Sequence, residues 1–141
     1  MGLLTQFAKL AGESMRISHT AKKARRIDPQ TKQKLDNLVA KAKSGNVDAM
    51  FRLAFFYYDG QYVGYDPERA CYWWTEAAKR GHIGSQYNLG LLYMGNISCF
   101  LYDEDKAGYW LSIAANNGDR QAIALLNNKF KYTRRGKWII R

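Results

Sequence analysis

The side chains that most often perform acid–base chemistry are scarce in this chain of 141 residues. Its two histidines, His19 and His82, have no acidic residue beside them in the sequence. His82 directly follows Gly81 at the start of a predicted helix, which favours a role in the turn over a role as a base. His19 stands in a basic segment that offers no acidic partner to orient it. The histidines therefore indicate no catalytic site.

Three consecutive carboxylates, Asp103, Glu104 and Asp105, form an acidic cluster. Clusters of this kind can bind a cation or supply a general acid. This one stands where a helix is predicted to begin, and the helix dipole favours negative charge at that end. The helix start is a sufficient reason for the cluster, so it does not by itself indicate chemistry.

The remaining signals of enzyme chemistry are also absent from the sequence. Cys71 and Cys99 do not form a metal-binding or redox motif. There is no glycine-rich phosphate loop and no nucleophile elbow. We therefore predict that the protein is not an enzyme and needs no cofactor and no metal.

The cellular location is predicted from the same sequence. Free cysteines are typical of a reducing compartment. No apolar run approaches the roughly 18 residues of a membrane span, and no signal-peptide pattern is found. These features predict a cytoplasmic protein.

The predicted helices of the chain are organised around the segment 66–81, which has the pattern of one short helix. Asp66 can cap its first N–H groups, Pro67 suits its first position, and Gly81 can end it. The pattern returns 37 residues later, with equivalent residues from Asp103 to Gly118. A fixed period of this size is typical of a repeat array.

A second set of helices alternates with the first. Four positions recur 36 residues later in the chain with the same or a similarly small residue. Ala49, Leu53, Ala54 and Tyr57 correspond to Ser85, Leu89, Gly90 and Tyr93. Small residues at 54 and 90 should let paired helices approach closely. Trp73 and Trp110, which are also equivalent, should seal one helix pair against the next.

These periodicities divide the chain into three parts. Residues 1–27 form a basic segment with an amphipathic helical pattern over residues 3–17. Residues 28–130 form the repeat body, with two full repeats, 45–80 and 81–117, flanked by partial copies. Residues 131–141 form a basic, aromatic tail. The body is predicted to be all-α.

The repeated residues resemble the Sel1-like repeat, a relative of the tetratricopeptide repeat. The match is carried by Ala-x-x-x-Leu-Gly-x-x-Tyr in the first helix and Asp-x-x-Lys-Ala-x-x-Trp-x-x-x-Ala-Ala-x-x-Gly in the second. Asp103, Lys106, Ala107, Trp110, Ala114, Ala115 and Gly118 fit the second pattern fully; Arg69 replaces its Lys, and Ala54 replaces a Gly of the first. The resemblance implies a right-handed α/α solenoid of Sel1-like helix pairs and a role in protein–protein interaction.

The first helices of the pairs carry more apolar residues than one core stripe needs. In solenoids of this type that face lines a concave groove. We therefore predict that the groove binds an apolar peptide or helix of another protein. The candidate contact residues are Phe51, Arg52, Phe55, Tyr58, Tyr87, Asn88 and Leu91. Alternatively, the amphipathic helix at 3–17 lies over these residues, as a fixed cover or as a displaceable lid.

The net charge of +10 is concentrated in the flanks. Residues 1–27 hold six Lys or Arg against one acid, and residues 129–141 hold six and no acid. The runner-up function is therefore binding of nucleic acid or an anionic membrane. Alternatively, the flanks serve only as solubilising ends. The candidate anion-binding residues are Lys22, Lys23, Arg25, Arg26, Arg134, Arg135 and Lys137.

Overall fold

The computed structural model describes residues 27–60, 62–95 and 101–141. The predicted N-terminal helix and the four cations between residues 22 and 26 lie outside them. The described part contains six α-helices and one β-hairpin. The helices are α1 (Pro29–Lys43), α2 (Val47–Asp59), α3 (Pro67–Lys79), α4 (Ile83–Tyr93), α5 (Glu104–Asn116) and α6 (Arg120–Lys129); the strands are β1 (Phe130–Tyr132) and β2 (Trp138–Ile140).

The described residues form two compact units, one that ends at Trp73 and one that begins at Trp74, which we call the first and second units. The boundary falls inside α3. In the first unit α1 packs on α2, and in the second α5 packs on both α4 and α6. Antiparallel neighbours of this kind are expected when short turns connect successive helices.

Each helix begins with a side chain that accepts a hydrogen bond from a backbone N–H group of the first turn. Such caps satisfy donors that have no partner within the helix. His82 is one of them: its Nδ1 accepts from the backbone N–H of Ser85 at 3.0 Å, so the predicted turn role is confirmed. The other capping residues are Asp28, Asn46, Asp66, Asp103 and Asp119.

In the first unit, the start of α3 is fastened to α2 by contacts around Tyr57. The backbone N–H of Asp66 donates to the carbonyl oxygen of Tyr57 at 2.8 Å. The guanidinium carbon of Arg69 lies 5.4 Å from the centre of the Tyr57 ring, a cation–π distance. Arg69 also pairs with Asp66, with 3.3 Å between its Nε and the carboxylate Oδ2.

The second unit repeats this arrangement around Tyr93. Asp103 donates its N–H to the carbonyl oxygen of Tyr93 at 2.8 Å, and Lys106 Nζ lies 5.4 Å from the Tyr93 ring centre. The ion pair recurs as well, with 3.4 Å between Lys106 Nζ and Asp103 Oδ2. Residues that are equivalent in the sequence therefore make equivalent contacts, as a true structural repeat requires.

The small residue predicted at position 90 permits the close approach of α4 and α5. A Cβ atom added to Gly90 would lie 2.4 Å from Cγ of Leu111, well inside van der Waals contact. Leu111 is fully buried. The prediction of close packing at this position is confirmed.

The prediction that Trp73 and Trp110 seal the helix pairs requires a correction. Both are only half-buried, whereas the next residues, Trp74 and Leu111, are fully buried. Trp73 instead makes an edge contact with Tyr72, with 5.1 Å between ring centres. The core position therefore holds a Trp in one repeat and a Leu in the next.

The segment predicted as a tail forms an antiparallel hairpin in which Tyr132 pairs with Trp138. Its loop closes through two hydrogen bonds to Thr133, from Gly136 N–H to its carbonyl oxygen and from Lys137 N–H to its hydroxyl. Gly136 has φ +76°, a conformation that favours glycine. A turn followed by a left-handed glycine is a common three-residue hairpin loop.

The hairpin docks on α5 through both backbone and side chain. Glu104 accepts a hydrogen bond from the Ile140 N–H at 3.0 Å, and Asp105 accepts one from the Trp138 N–H at 2.9 Å. A Cβ atom on Gly108 would lie only 2.1 Å from the Trp138 side chain. The acidic cluster therefore has a tertiary role, which the sequence did not reveal, in addition to its place at a helix start.

Candidate functional site

One face of α2 combines aromatic and charged side chains at the surface. Phe51 and Phe55 lie one helical turn apart, with 5.0 Å between ring centres and an edge-to-face orientation. Both are half-buried, and Arg52 beside them is exposed. We call Phe51, Arg52 and Phe55 the α2 face. The arrangement offers apolar area with one exposed cation at its edge.

The rest of α2 holds this face in place. Asn46 caps the first turn, and Gly60 ends the helix in a left-handed conformation. Ala49 and Leu53 are buried on the opposite side. The α2 face therefore stands on a helix that is fixed at both ends and packed along its back.

The other predicted contact residues of the first helices are buried. Tyr58 of the first unit is 0% exposed, and Tyr87, Asn88 and Leu91 of the second unit are 1%, 2% and 4% exposed. Burial raises the pKa of the Tyr87 hydroxyl, with a smaller contribution from the charge of Asp119, so this phenol stays protonated. A partner can reach these four residues only if the side chains that cover them move.

Two buried donors on α4 lack acceptors. Among the described residues, neither the hydroxyl of Tyr87 nor the amide nitrogen of Asn88 has a hydrogen-bond partner. A buried donor without an acceptor costs free energy. An incoming carbonyl group would therefore gain from reaching them.

The hairpin forms a second charged surface. Four of its cations are exposed, and none of them forms an ion pair with any other described residue. We call them the hairpin cations: Lys131, Arg134, Arg135 and Lys137. Of the seven predicted anion-binding residues, the structure describes Arg134, Arg135 and Lys137 and places them together.

The docking of the hairpin should depend on pH through Glu104. Hydrogen bonds from the Tyr102 hydroxyl and then from the Ile140 N–H lower the pKa of this carboxyl below its ordinary value of 4.5. A lowered pKa in the folded state stabilises the protein at neutral pH, and this contribution is lost as the pH falls. We therefore expect the melting temperature to fall on acidification through the carboxyl range.

The variant Glu104→Gln should show a weaker fall than the parent protein, so that the two melting curves converge at acid pH. Glu68→Gln, an exposed carboxyl on α3, is the matched control. An unchanged pH dependence in Glu104→Gln would contradict this role of Glu104.

Two other kinds of feature, a metal site and a membrane-spanning helix, are not found among the described residues. These residues contain no group of three or more His, Cys, Asp or Glu side chains placed to hold a metal ion. No helix among them has the length and apolar character that crossing a bilayer requires.

Comparison with known proteins identifies the repeat. The sequence profile of the Sel1 repeat matches residues 47–82 and residues 83–119. A crystal structure of a Sel1 repeat protein from Oxalobacter formigenes is similar, with 28% sequence identity and a TM-score of 0.59. The similarity covers 74% of this chain and 76% of that one.

A second solved structure is a protective antigen of uropathogenic Escherichia coli that displays an SLR fold. It shares 27% identity with this chain at a TM-score of 0.58. The match covers 83% of this chain but 26% of the antigen, so this chain corresponds to about a quarter of that protein. No curated protein matches the chain.

These matches confirm the predicted resemblance and the predicted fold class, an all-α solenoid of Sel1-like helix pairs. Sel1 repeats are generally modules of protein–protein interaction, and the proteins built from them are typically non-enzymatic scaffolds.

Proposed function

Because the chain belongs to the Sel1 repeat family, we propose that it is a non-enzymatic adaptor that binds an apolar peptide or helix of another protein. The observation that supports this function best is the α2 face. It combines a half-buried aromatic pair with an exposed guanidinium on a helix that is fixed at both ends.

The α2 face has the composition of a binding hot spot. Aromatic and Arg side chains contribute most of the free energy in many interfaces. Aromatic rings bury a large area and lose little side-chain entropy. Phe51 and Phe55 follow one line along α2, so they can contact successive turns of a bound helix. Arg52 can donate hydrogen bonds to a carbonyl or carboxylate oxygen of the ligand at the edge.

The buried residues of α4 form a secondary part of the proposal. Tyr87 and Asn88 offer donors without acceptors, which carbonyl groups of a peptide would satisfy. Contact with these two residues and with Leu91 requires that the side chains covering them move. Tyr58, in the first unit, is also fully buried.

The test begins with a peptide selected against the whole protein from a displayed library of apolar and amphipathic sequences. Its affinity is then measured by calorimetry for the parent and for the double variant Phe51→Ala, Phe55→Ala. We expect the double variant to bind at least about tenfold more weakly, or about 1.4 kcal/mol. Tyr72→Ala, which removes an exposed aromatic from α3, should bind as the parent does.

Thermal melts of the same variants separate binding from support of the fold. If the α2 face is a binding surface, the double variant should stay folded and melt close to the parent. A large loss of stability would instead support the alternative that these rings are covered within the chain, as the predicted cover at residues 3–17 would do. Equal affinity for parent and double variant would refute the proposal.

A further inference from the structure

The hairpin of the second unit has a different chemistry from the α2 face. Among the described residues, the four hairpin cations lie in no ion pair, and residues 129–141 contain no acid. Arg134 and Arg135 occupy the loop between the strands, while Lys131 pairs in register with Ile139 across them. The cations therefore cluster on one small element.

The hairpin is held rigidly, so the cations have a fixed frame. Phe130 is 1% exposed, and its carbonyl oxygen accepts a hydrogen bond from Arg141 Nε at 2.9 Å. The other strand is fastened to α5 through the backbone N–H groups of Trp138 and Ile140. A solubilising end would not need these attachments.

An aromatic side chain lies beside the hairpin loop. Tyr132 is 59% exposed, and its ring centre is 5.0 Å from that of Trp138. The two rings are tilted by 56° against each other, and the large exposed part of Tyr132 is available for stacking. A planar ligand with negative charge would match both the ring and the cations.

We propose that the hairpin binds single-stranded nucleic acid, with the hairpin cations on the phosphates and Tyr132 stacked on an unpaired base. This function is separate from peptide binding by the α2 face. Phosphate contacts supply affinity that depends on salt, and stacking on an aromatic side chain is tolerant of sequence. A duplex would use the cations but not Tyr132, because its bases are already stacked.

An anionic membrane fits the hairpin less well. Binding in a bilayer surface requires apolar area that can enter the acyl region. The large apolar side chain of Phe130 is buried, and Trp138 packs against Gly108. Ile139, at 39% exposure, is the one aliphatic side chain that the hairpin exposes strongly.

The test uses fluorescence anisotropy with the whole protein and a labelled single-stranded oligonucleotide of about 20 nucleotides, longer than a typical site. In the hairpin variant, all four hairpin cations are replaced by Ala. We expect at least tenfold weaker binding and a salt dependence shallower by about 2 to 3 in log–log slope, as loss of about four phosphate contacts predicts.

The matched control removes the same charge from α1. It replaces four exposed lysines that belong to another element: Lys32, Lys34, Lys41 and Lys43. It should bind the oligonucleotide nearly as well as the parent. Equal losses in the control and in the hairpin variant would show attraction by net charge alone and would overturn the proposal. Thermal melts confirm that both variants are folded.

Stacking is tested at Tyr132. We expect Tyr132→Ala to weaken binding at least about fivefold, the lower limit for loss of one stacked base, and Tyr132→Phe to retain it. The parent should also prefer the single strand to a duplex of the same length. An unaffected Tyr132→Ala variant, with equal binding of the duplex, would overturn the proposal of a single-stranded ligand.

Three further binding experiments distinguish single-stranded nucleic acid from other partners. Hairpin-dependent binding to vesicles with anionic lipid, without binding to the oligonucleotide, would overturn the proposal in favour of a membrane. Polyglutamate that binds as tightly as the oligonucleotide would overturn it in favour of an acidic protein. Replacement of the cations between residues 22 and 26 by Ala should leave hairpin-dependent binding in place. If that variant lost all binding while the hairpin variant lost no binding, the proposal would also be overturned.

Discussion

Replacing Trp74 with Ala should lower the free energy of unfolding by about 3–5 kcal/mol, a large part of the total stability of a small domain. The indole is 0% exposed. Its removal loses the favourable transfer of a large apolar group from water and leaves a cavity that neighbouring side chains fill only partly. Urea denaturation followed by far-UV circular dichroism measures the change.

The neighbouring tryptophan provides the control for this prediction. Trp73 is half-buried, so Trp73→Ala should cost clearly less than Trp74→Ala. Leu111→Ala, at the equivalent position of the next repeat, should cost about 2–5 kcal/mol because Leu111 is also fully buried. A larger loss for Trp73→Ala than for Trp74→Ala would show that the core position has been assigned to the wrong residue.

The second large effect is expected where the hairpin docks on α5. Trp138 packs on Gly108 and makes an edge contact with Phe130, with 6.4 Å between ring centres. We expect Trp138→Ala to cost about 3 kcal/mol, at the low end for this substitution because the ring is only half-buried. Gly108→Ala should also destabilise, by about 1–3 kcal/mol, because its Cβ would overlap Trp138.

The pair can be tested as a double-mutant cycle. In a Trp138→Gly background both the indole and its Cβ atom are absent, so the methyl group added by Gly108→Ala meets neither and should cost much less than in the parent protein. A coupling of about 1 kcal/mol or more is expected for residues in direct contact. Strictly additive effects would contradict the docking of the hairpin at Gly108.

Much of the helical framework could be predicted from sequence because its signals are local. Asp66 and Asp103 cap helices through their own next turns, and the period of 36 or 37 residues fixes where each unit recurs. The closeness of the helices at Gly90 followed from residue size alone. These features depend on neighbours that lie nearby in the chain or on the repeat itself.

The tryptophan assignment failed for a different reason. The sequence comparison followed residue identity, and Trp73 and Trp110 are identical. The buried position changes from Trp74 to Leu111 between repeats, which hides it from a search for repeated letters. Burial follows the direction of a side chain, and adjacent residues on a helix point about 100° apart.

The hairpin was missed although a signal for it was present. In β1 the aromatic residues Phe130 and Tyr132 flank a lysine, β2 consists of aromatic and β-branched residues, and Gly136 follows two arginines at the loop. That pattern is typical of a hairpin. The contacts of Glu104 and Asp105 with this hairpin could not be predicted, because their partners are more than 30 residues away.

The candidate contact residues also divide into those that could be predicted from their own helix and those that depend on distant residues. An excess of apolar residues on α2 predicted that some would lie outside the core of the helix pair, and Phe51 and Phe55 are only half-buried. The burial of Tyr87, Asn88 and Leu91 depends on how other elements pack, which periodicity within one helix does not report. The sequence therefore placed the candidate contact residues on the first helices of the pairs, but it did not predict which of them are buried.

The most direct test of peptide binding by the α2 face is a chemical-shift titration of the isotope-labelled protein with the selected peptide. At 16.2 kDa the protein is well suited to two-dimensional amide spectra. We predict that the largest shifts at low peptide concentration cluster on α2 around Phe51, Arg52 and Phe55. Shifts confined to α3, α5 or the hairpin, with α2 unchanged, would contradict the account.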